Sequence, residues 1–311
     1  MNGKTKNNGW DVYTIKSGDG KSTASFVPAK GGVCSSFIVT HNHKEQELLF
    51  LHDDFWKNEP YFDLHGGLPL LFPICGRLER NCHQGNYLYN GTLYNLTIHG
   101  FASYMPWQVA SCLDDKITLE LVDNKDSAAH YPFKFKVLLE YQIRDNGLLC
   151  KQTYVNLGDE PLIYYAGFHP YFLTPNPNEG KEDVRLNFNA KKMLRYNDAL
   201  TDIIGERQKF AVPVSITDPN INEQLAMVAD DNTTTLTYPN DLVLSMRAWG
   251  ESDTYMFPYL QIYTKADQPF ICLEPWMGHP NGFNTACGYR IIESGKTDTA
   301  YLSISVGKVD E

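Results

Sequence analysis

Every second residue from Phe133 to Ile143 is apolar. In FKFKVLLEYQI, Phe133, Phe135, Val137, Leu139, Tyr141 and Ile143 fall on one side of an extended chain, opposite Lys134, Lys136, Leu138, Glu140 and Gln142. A period of two puts one set in a core and the other toward solvent, the signature of a half-buried β-strand. RDNGLL then supplies Asn146-Gly147, a pair that tolerates the positive φ of a tight hairpin turn, and LCKQTYVNL returns as the partner strand. A chain with this hairpin at its centre must bury one face of it against another layer.

The same pattern recurs along the sequence. NYLYNGTLYNLTI reads as two short strands around Asn90-Gly91, and in RIIESGKTDTAYLSISV the residues Ala300, Leu302, Ile304 and Val306 alternate against Tyr301, Ser303 and Ser305. KITLELVD, DVRLNFNA, LVLSMRAW, YLQIYTK and FICLEP have strand length and are rich in β-branched or aromatic residues. Helical periodicity is scarce. DPNINEQLAMVAD, 218 to 230, predicts one short helix with Asp218 as N-cap and Pro219 at the first helical position. The fold class expected is all-β, a large antiparallel sandwich or barrel with few short helices. No composition shift marks a linker and no fixed-period repeat occurs, so residues 1–311 are expected to form a single domain. Residues 1–8 are polar and expected to be a loose tail, and LTPNPNEGKEDV, 173 to 184, a surface loop.

Charge removes one class of partner. The 27 Lys+Arg against 37 Asp+Glu leave a net charge of −10, with no basic run, so nucleic acid is not expected to bind. The seven cysteines, at 34, 75, 82, 112, 150, 272 and 287, include no C-x-x-C pair, and several lie in apolar strand-like runs. They read as reduced thiols of a cytoplasmic protein. No signal-peptide segment and no membrane-spanning apolar run are present, so no membrane association is expected, and the sequons at Asn90, Asn95 and Asn232 read as chance matches.

Four places combine ionisable groups with apolar neighbours. In AGFHPYF, His169 precedes a proline, which pushes it into an extended conformation among aromatic residues, where an unpaired polar group is costly. In CLEPWMG, Glu274 ends an apolar strand. Desolvation there raises its pKa toward the operating pH, as a proton-transfer carboxylate needs, and Trp276 offers a flat face suited to the C–H face of a sugar ring. In IHGFASYMPWQV, His99 precedes Gly100, where a ligand or another backbone can come close. GGLPLLFPICGRL ends in Arg77, whose guanidinium suits a sugar hydroxyl or an anionic oxygen. Each alone also has a structural reading, as a satisfied core histidine, a strand-end carboxylate or a surface arginine. His41 and His43 in HNHKE would share a strand face, but no further ligands join them at standard metal spacing, so no metal site is expected. No P-loop, G-x-G-x-x-G fingerprint or G-x-S-x-G elbow occurs.

Taken in order, GGLPLLFPICGRL, HGFASYMPWQV, DNGLLCKQTYVNLGDEPLIYYAGFHPYF, YLQIYT, CLEPW and GYRIIESGKTDTAYLSISV resemble the aldose 1-epimerase, or galactose mutarotase-like, family, in its aldose epimerase-like and hexose-phosphate mutarotase-like branch. The resemblance implies a β-supersandwich and cofactor-free interconversion of the α and β anomers of a hexose. By motif it implies that His169 is the general acid on the ring oxygen and Glu274 the general base on the anomeric hydroxyl, with His99 and Arg77 binding substrate oxygens. Ring opening requires removal of the C1 hydroxyl proton together with protonation of O5, and two groups that exchange roles on the way back suffice. On this reading the imidazole and the carboxylate face each other across a hollow about as wide as a pyranose.

The sequence departs from the family pattern in two places. Sugar-phosphate relatives usually carry an arginine after HGFA, and here the position is Ser103. The acidic residue that grips sugar hydroxyls in the galactose enzymes has no assignable position, Asp218 being no more than a guess. The alternatives are a hexose-6-phosphate 1-epimerase, which predicts a second cation close to Arg77, and a non-catalytic carbohydrate-binding protein on the same fold. A glycoside-cleaving enzyme would want two carboxylates in suitable motifs, and only Glu274 qualifies. The sequence leaves a homodimer open.

Overall fold

A computed structural model describes residues 3–57 and 66–308. Antiparallel sheets dominate it, as the alternation requires. A nine-stranded sheet runs in spatial order Gln108–Cys112, Lys116–Val122, Phe135–Arg144, Gly147–Asn156, Thr297–Lys308, Leu242–Gly250, Thr234–Thr237, Arg185–Phe188, Val214–Ser215. An eight-stranded sheet runs Ile203–Arg207, Ala190–Tyr196, Gln224–Val228, Tyr259–Thr264, Phe270–Trp276, Gly167–Phe168, Leu70–Leu71, and Tyr171–Leu173 also pairs with Phe270–Trp276. A five-stranded sheet occupies the N-terminal part, from Lys4–Asn7 to Lys44–Glu47. The expected all-β architecture with few short helices is present: the described α-helices are Lys125–His130, capped by the Asn124 side chain, and Gly282–Thr285. Among the described residues no helix is long and apolar enough to cross a membrane.

The hairpin expected at the centre pairs Phe135–Arg144 with Gly147–Asn156, and its inward residues Phe135, Val137, Leu139, Tyr141 and Ile143 are all buried. Burying side chains of this kind stabilises by roughly 1.5–3 kcal/mol each, so one face of the hairpin commits the sheet to the core. Its turn lies one residue earlier than the sequence indicates. Arg144 pairs with Gly147, and Asp145, at φ +51°, carries the left-handed conformation. Aspartate tolerates that region better than most residues, which makes the earlier register affordable in strain.

Three further expectations change. The helix predicted over 218–230 is absent. Gln224–Val228 is a strand between Ala190–Tyr196 and Tyr259–Thr264, with four of its five residues buried. An interior strand covered on both faces loses the period of two, and its apolar run then imitates a helix. Asp218 caps no helix; its carboxylate accepts from the Asn220 backbone N–H at 2.8 Å in a local turn. Within the polar start, Lys4–Asn7 is not loose: it pairs in register with Trp10–Tyr13, its Lys4 Nζ 2.9 Å from Asp11. In the 173–184 segment Lys181 is buried, its ammonium donating to Thr264 Oγ1 and to the carbonyls of Lys265 and Gln268 at 2.6–3.2 Å.

Candidate active site

The strand Phe270–Trp276 is buried along its whole length, with Tyr259–Thr264 on one side and the chain from Gly167 to Leu173 on the other. Gly167 pairs with Trp276 and Tyr171 with Cys272 in one antiparallel register, so His169, between them, falls opposite Glu274. Cross-strand neighbours on one face have Cβ atoms about 4.5–5.5 Å apart, so the register alone brings the imidazole to the carboxylate. His169 Nε2 lies 3.1 Å from Glu274 Oε1. The Trp276 indole N–H donates to the other carboxylate oxygen at 3.1 Å. His169 thus forms one hydrogen-bonded unit with the distant Glu274 and Trp276, although His169 and Glu274 touch edge to edge and do not flank a hollow.

Their surroundings fix them. Tyr171 stacks on the His169 ring at 4.7 Å, and Tyr263 meets it edge-on at 6.2 Å. Gly167 has no room for a side chain: a Cβ there would lie 2.7 Å from the Pro275 carbonyl oxygen and 2.8 Å from Trp276 Cδ1. The missing Cβ lets the two strands close under the indole.

His99 approaches from a turn, at φ +65°, with its ring 5.4 Å from His169 and 5.8 Å from Trp276. The Gly76 backbone N–H donates to His99 Nδ1 at 3.0 Å, while the His99 N–H donates to the Gly76 carbonyl at 2.9 Å. An Nδ1 that accepts carries no proton, so neutral His99 holds its proton on Nε2 and presents a donor. The glycine after it, at φ +75°, packs against the Phe72 carbonyl, where a Cβ would collide.

Arg77, His99, His169, Glu274 and Trp276 all line one cavity of about 570 Å³, so the sequence-predicted residues come together. Glu223, Gln261 and Tyr196 line it too, and none of them was singled out in the sequence, although Gln261 lies within YLQIYT. Gln261 is the cross-strand partner of Glu274; its Nε2 donates to Glu223 Oε2 at 3.0 Å and its Oε1 accepts from the Tyr196 hydroxyl at 3.0 Å. Glu223 stands at φ +52°, a strained conformation for glutamate. It is five residues past Asp218, which is not among the lining residues, and the helix expected across this stretch hid it. The amide in YLQIYT, a polar residue on an otherwise apolar and aromatic strand, was the available signal for Gln261.

Burial dominates the electrostatics. It raises the Glu274 pKa well above the ordinary 4.5, the nearby Glu223 carboxylate adds to this, and the Trp276 donation opposes it. Burial lowers His169 to about 3. Burial also lowers His99 well below its ordinary value, assisted by His169 and Arg77, and raises Glu223 against the opposing effects of Arg77 and Gln261. Burial therefore favours the uncharged form of both groups, with Oε1 and Nε2 close enough to share a proton.

His99, His169 and Glu274 place ligand atoms within 4.8 Å of one another, close enough to consider a metal. The tautomer argues against it, because the nitrogen that His99 turns to the cavity carries hydrogen and offers no lone pair. His41 and His43 do not share a face either. The strand ends at His41, whose Nε2 meets the Asn240 carbonyl at 3.1 Å, and His43 sits in the following turn at φ +61°.

The sequence model of one family, described as aldose 1-epimerase, matches residues 11–286. The chain belongs to the aldose 1-epimerase family. Its members are isomerases, and this chain is an enzyme of that class. Protein LacX (chromosomal) of Lactococcus lactis subsp. lactis is 23% identical over 234 residues, covering 72% of this chain and 77% of LacX. The Slr1438 protein of Synechocystis sp. PCC 6803 superposes with a TM-score of 0.80 at 25% identity, covering 96% of each chain. A galactose mutarotase related enzyme from Lactobacillus acidophilus gives 0.77 at 21% identity, covering 100% of this chain and 99% of that one, and so shares the fold.

Proposed function

We propose that this aldose 1-epimerase homologue interconverts the anomers of a free hexose, with His169 as acid at the ring oxygen and Glu274 as base at the anomeric hydroxyl. The observation that carries the reading is the 3.1 Å contact between His169 and Glu274 on the floor of the cavity. In a hemiacetal the two oxygens that exchange protons sit on one carbon. An acid and a base serving both must stand side by side, as this pair does.

Moving the shared proton from Oε1 to Nε2 makes an imidazolium and a carboxylate without changing the charge of the pair. The imidazolium then protonates O5 while the carboxylate takes the O1 proton, the C1–O5 bond breaks and C1=O1 forms. Both groups end neutral. After rotation about C1–C2, Glu274 returns its proton to O1, O5 attacks the other carbonyl face and its proton goes back to His169. Trp276 holds the carboxylate through its indole N–H. His99, as a donor, and Arg77 serve substrate oxygens, and the Glu223 and Gln261 pair accepts and donates toward sugar hydroxyls.

The hexose-6-phosphate alternative expects a second cation beside Arg77. Glu223, His99 and Tyr196 are titratable groups that Arg77 acts on there, and a carboxylate in that place repels a phosphate. This supports an uncharged sugar. Seven cysteines, none in a disulfide, support a cytoplasmic location.

The test is polarimetry on freshly dissolved α-glucose and α-galactose. Glu274→Gln and His169→Asn should each lower kcat by roughly 10²-fold or more with the fold retained, as loss of a positioned acid or base does. Unchanged mutant rates would remove the assignment, and sugar binding without acceleration by the wild type would leave a carbohydrate-binding protein.

A further inference from the structure

Arg77 lines the cavity, yet no described group hydrogen-bonds or ion-pairs with its guanidinium, so its aim depends on how its backbone is held. His99 holds that backbone at Gly76, just before Arg77, and Asn281 holds it at Arg77 itself. The Asn281 N–H donates to the Arg77 carbonyl at 2.8 Å, and the Glu79 N–H donates to Asn281 Oδ1 at 2.9 Å, so Asn281 grips the chain at Arg77 and again two residues on. Its Nδ2 donates to Asp202 Oδ1 at 3.1 Å. Asp202 Oδ2 in turn accepts from Thr201 Oγ1 and Asn197 Nδ2, at 2.9 and 3.1 Å, closing the turn that brings Leu200 to the cavity wall. Pro280, next to Asn281, covers Gly76, where a Cβ would lie 2.9 Å from Pro280 Cγ. Asn281 is buried at φ +63°, a conformation asparagine accepts more readily than most residues.

We propose that Asn281 is a positioning residue for sugar binding: it ties the Arg77 segment to the 197–202 turn and thereby fixes where the guanidinium meets a sugar oxygen. The inference rests on the proposed epimerase reading for its substrate and on the hydrogen bonds above for its mechanism.

Asn281→Gly removes the side chain while keeping the positive φ free of penalty. With D-glucose as probe, it should raise both KM in mutarotation and Kd by saturation-transfer NMR about tenfold, with kcat within about twofold, because uniform binding is what a displaced contact loses. On an Arg77→Ala background the same change should add almost nothing, since a residue acting through another is silent once that one is gone. Asn281→Asp keeps the acceptor for Glu79 but sets a carboxylate against Asp202, and should raise KM several-fold, again only when Arg77 is present; it carries the test if the glycine variant does not fold. Equal effects of Asn281→Gly with and without Arg77, or a fall in kcat at constant KM, would overturn the proposal. Wild-type protein that binds glucose without accelerating its mutarotation would sink the epimerase reading alone, since the Kd comparison would still decide the role of Asn281.

Discussion

At the residue scale, a carboxylic acid and an imidazole buried in contact impose opposite pH dependences on stability. Glu274 binds its proton more tightly folded than unfolded, so its contribution is fully present below the ordinary 4.5 and is lost as pH rises from there toward its raised folded pKa. His169 has a folded pKa of about 3 against an ordinary 6.5, so stability is gained as pH rises from about 3 to 6.5. Between 4.5 and 6.5 the two slopes oppose each other, and above 6.5 only the Glu274 loss remains. Glu274→Gln keeps the shape and can still donate to Nε2 and accept from Trp276, but it cannot ionise. The melting temperature of the variant should therefore rise relative to wild type between pH 5 and pH 8, and a constant difference over that range would show that the carboxyl does not titrate abnormally. Of these residues the sequence exposed His169, Glu274, His99, Arg77 and Trp276, because each interrupts an apolar run with chemistry that the run does not need. Glu223 stayed hidden because its strained turn has no sequence signature and because the run after it imitates a helix.

At the scale of elements, the site depends on two strands closing more tightly than side chains allow. The ladder between Gly167–Phe168 and Phe270–Trp276 places His169 opposite Glu274 only while the Gly167–Trp276 pair holds. Gly167→Ala would put a methyl group 2.7–2.8 Å from the Pro275 oxygen, Cys75 Sγ and Trp276 Cδ1. Two of these three belong to the strand that carries Glu274, so the indole and its N–H contact to the carboxylate must shift. Overpacking of this kind costs about 1–3 kcal/mol. The expected outcome is a lower melting temperature together with a lower kcat, read by calorimetry and polarimetry on one preparation. A stable, fully active Gly167→Ala protein would show that the strands can spread without moving the pair. The central hairpin and the strands with clean alternation were legible in the sequence, since one face meets water. Gln224–Val228 was not, because burial on both sides removes the contrast that periodicity reads.

For the whole molecule, the question is which sugars the field of the protein admits. The net charge of −10 is spread over the chain with no basic stripe, and inside the cavity a carboxylate, Glu223, lies near the arginine that would otherwise attract an anion. Both the long-range field and the nearby carboxylate then oppose a dianionic substrate and are indifferent to a neutral one. Lys265, on the turn between Tyr259–Thr264 and Phe270–Trp276, is a second cation lining the same cavity. The molecule should accordingly accelerate anomer exchange of glucose or galactose with a higher kcat/KM than that of glucose 6-phosphate. Raising the ionic strength to 0.15 M shortens the screening length to about 8 Å, which weakens the repulsion of a charged substrate but not the binding of a neutral one. Exchange NMR on both sugars from low to physiological salt should show the phosphate rate rising while the free-sugar rate stays flat. A phosphate rate that starts higher and falls with salt would mean that Arg77 and Lys265 prevail over Glu223, and the substrate would then be a sugar phosphate.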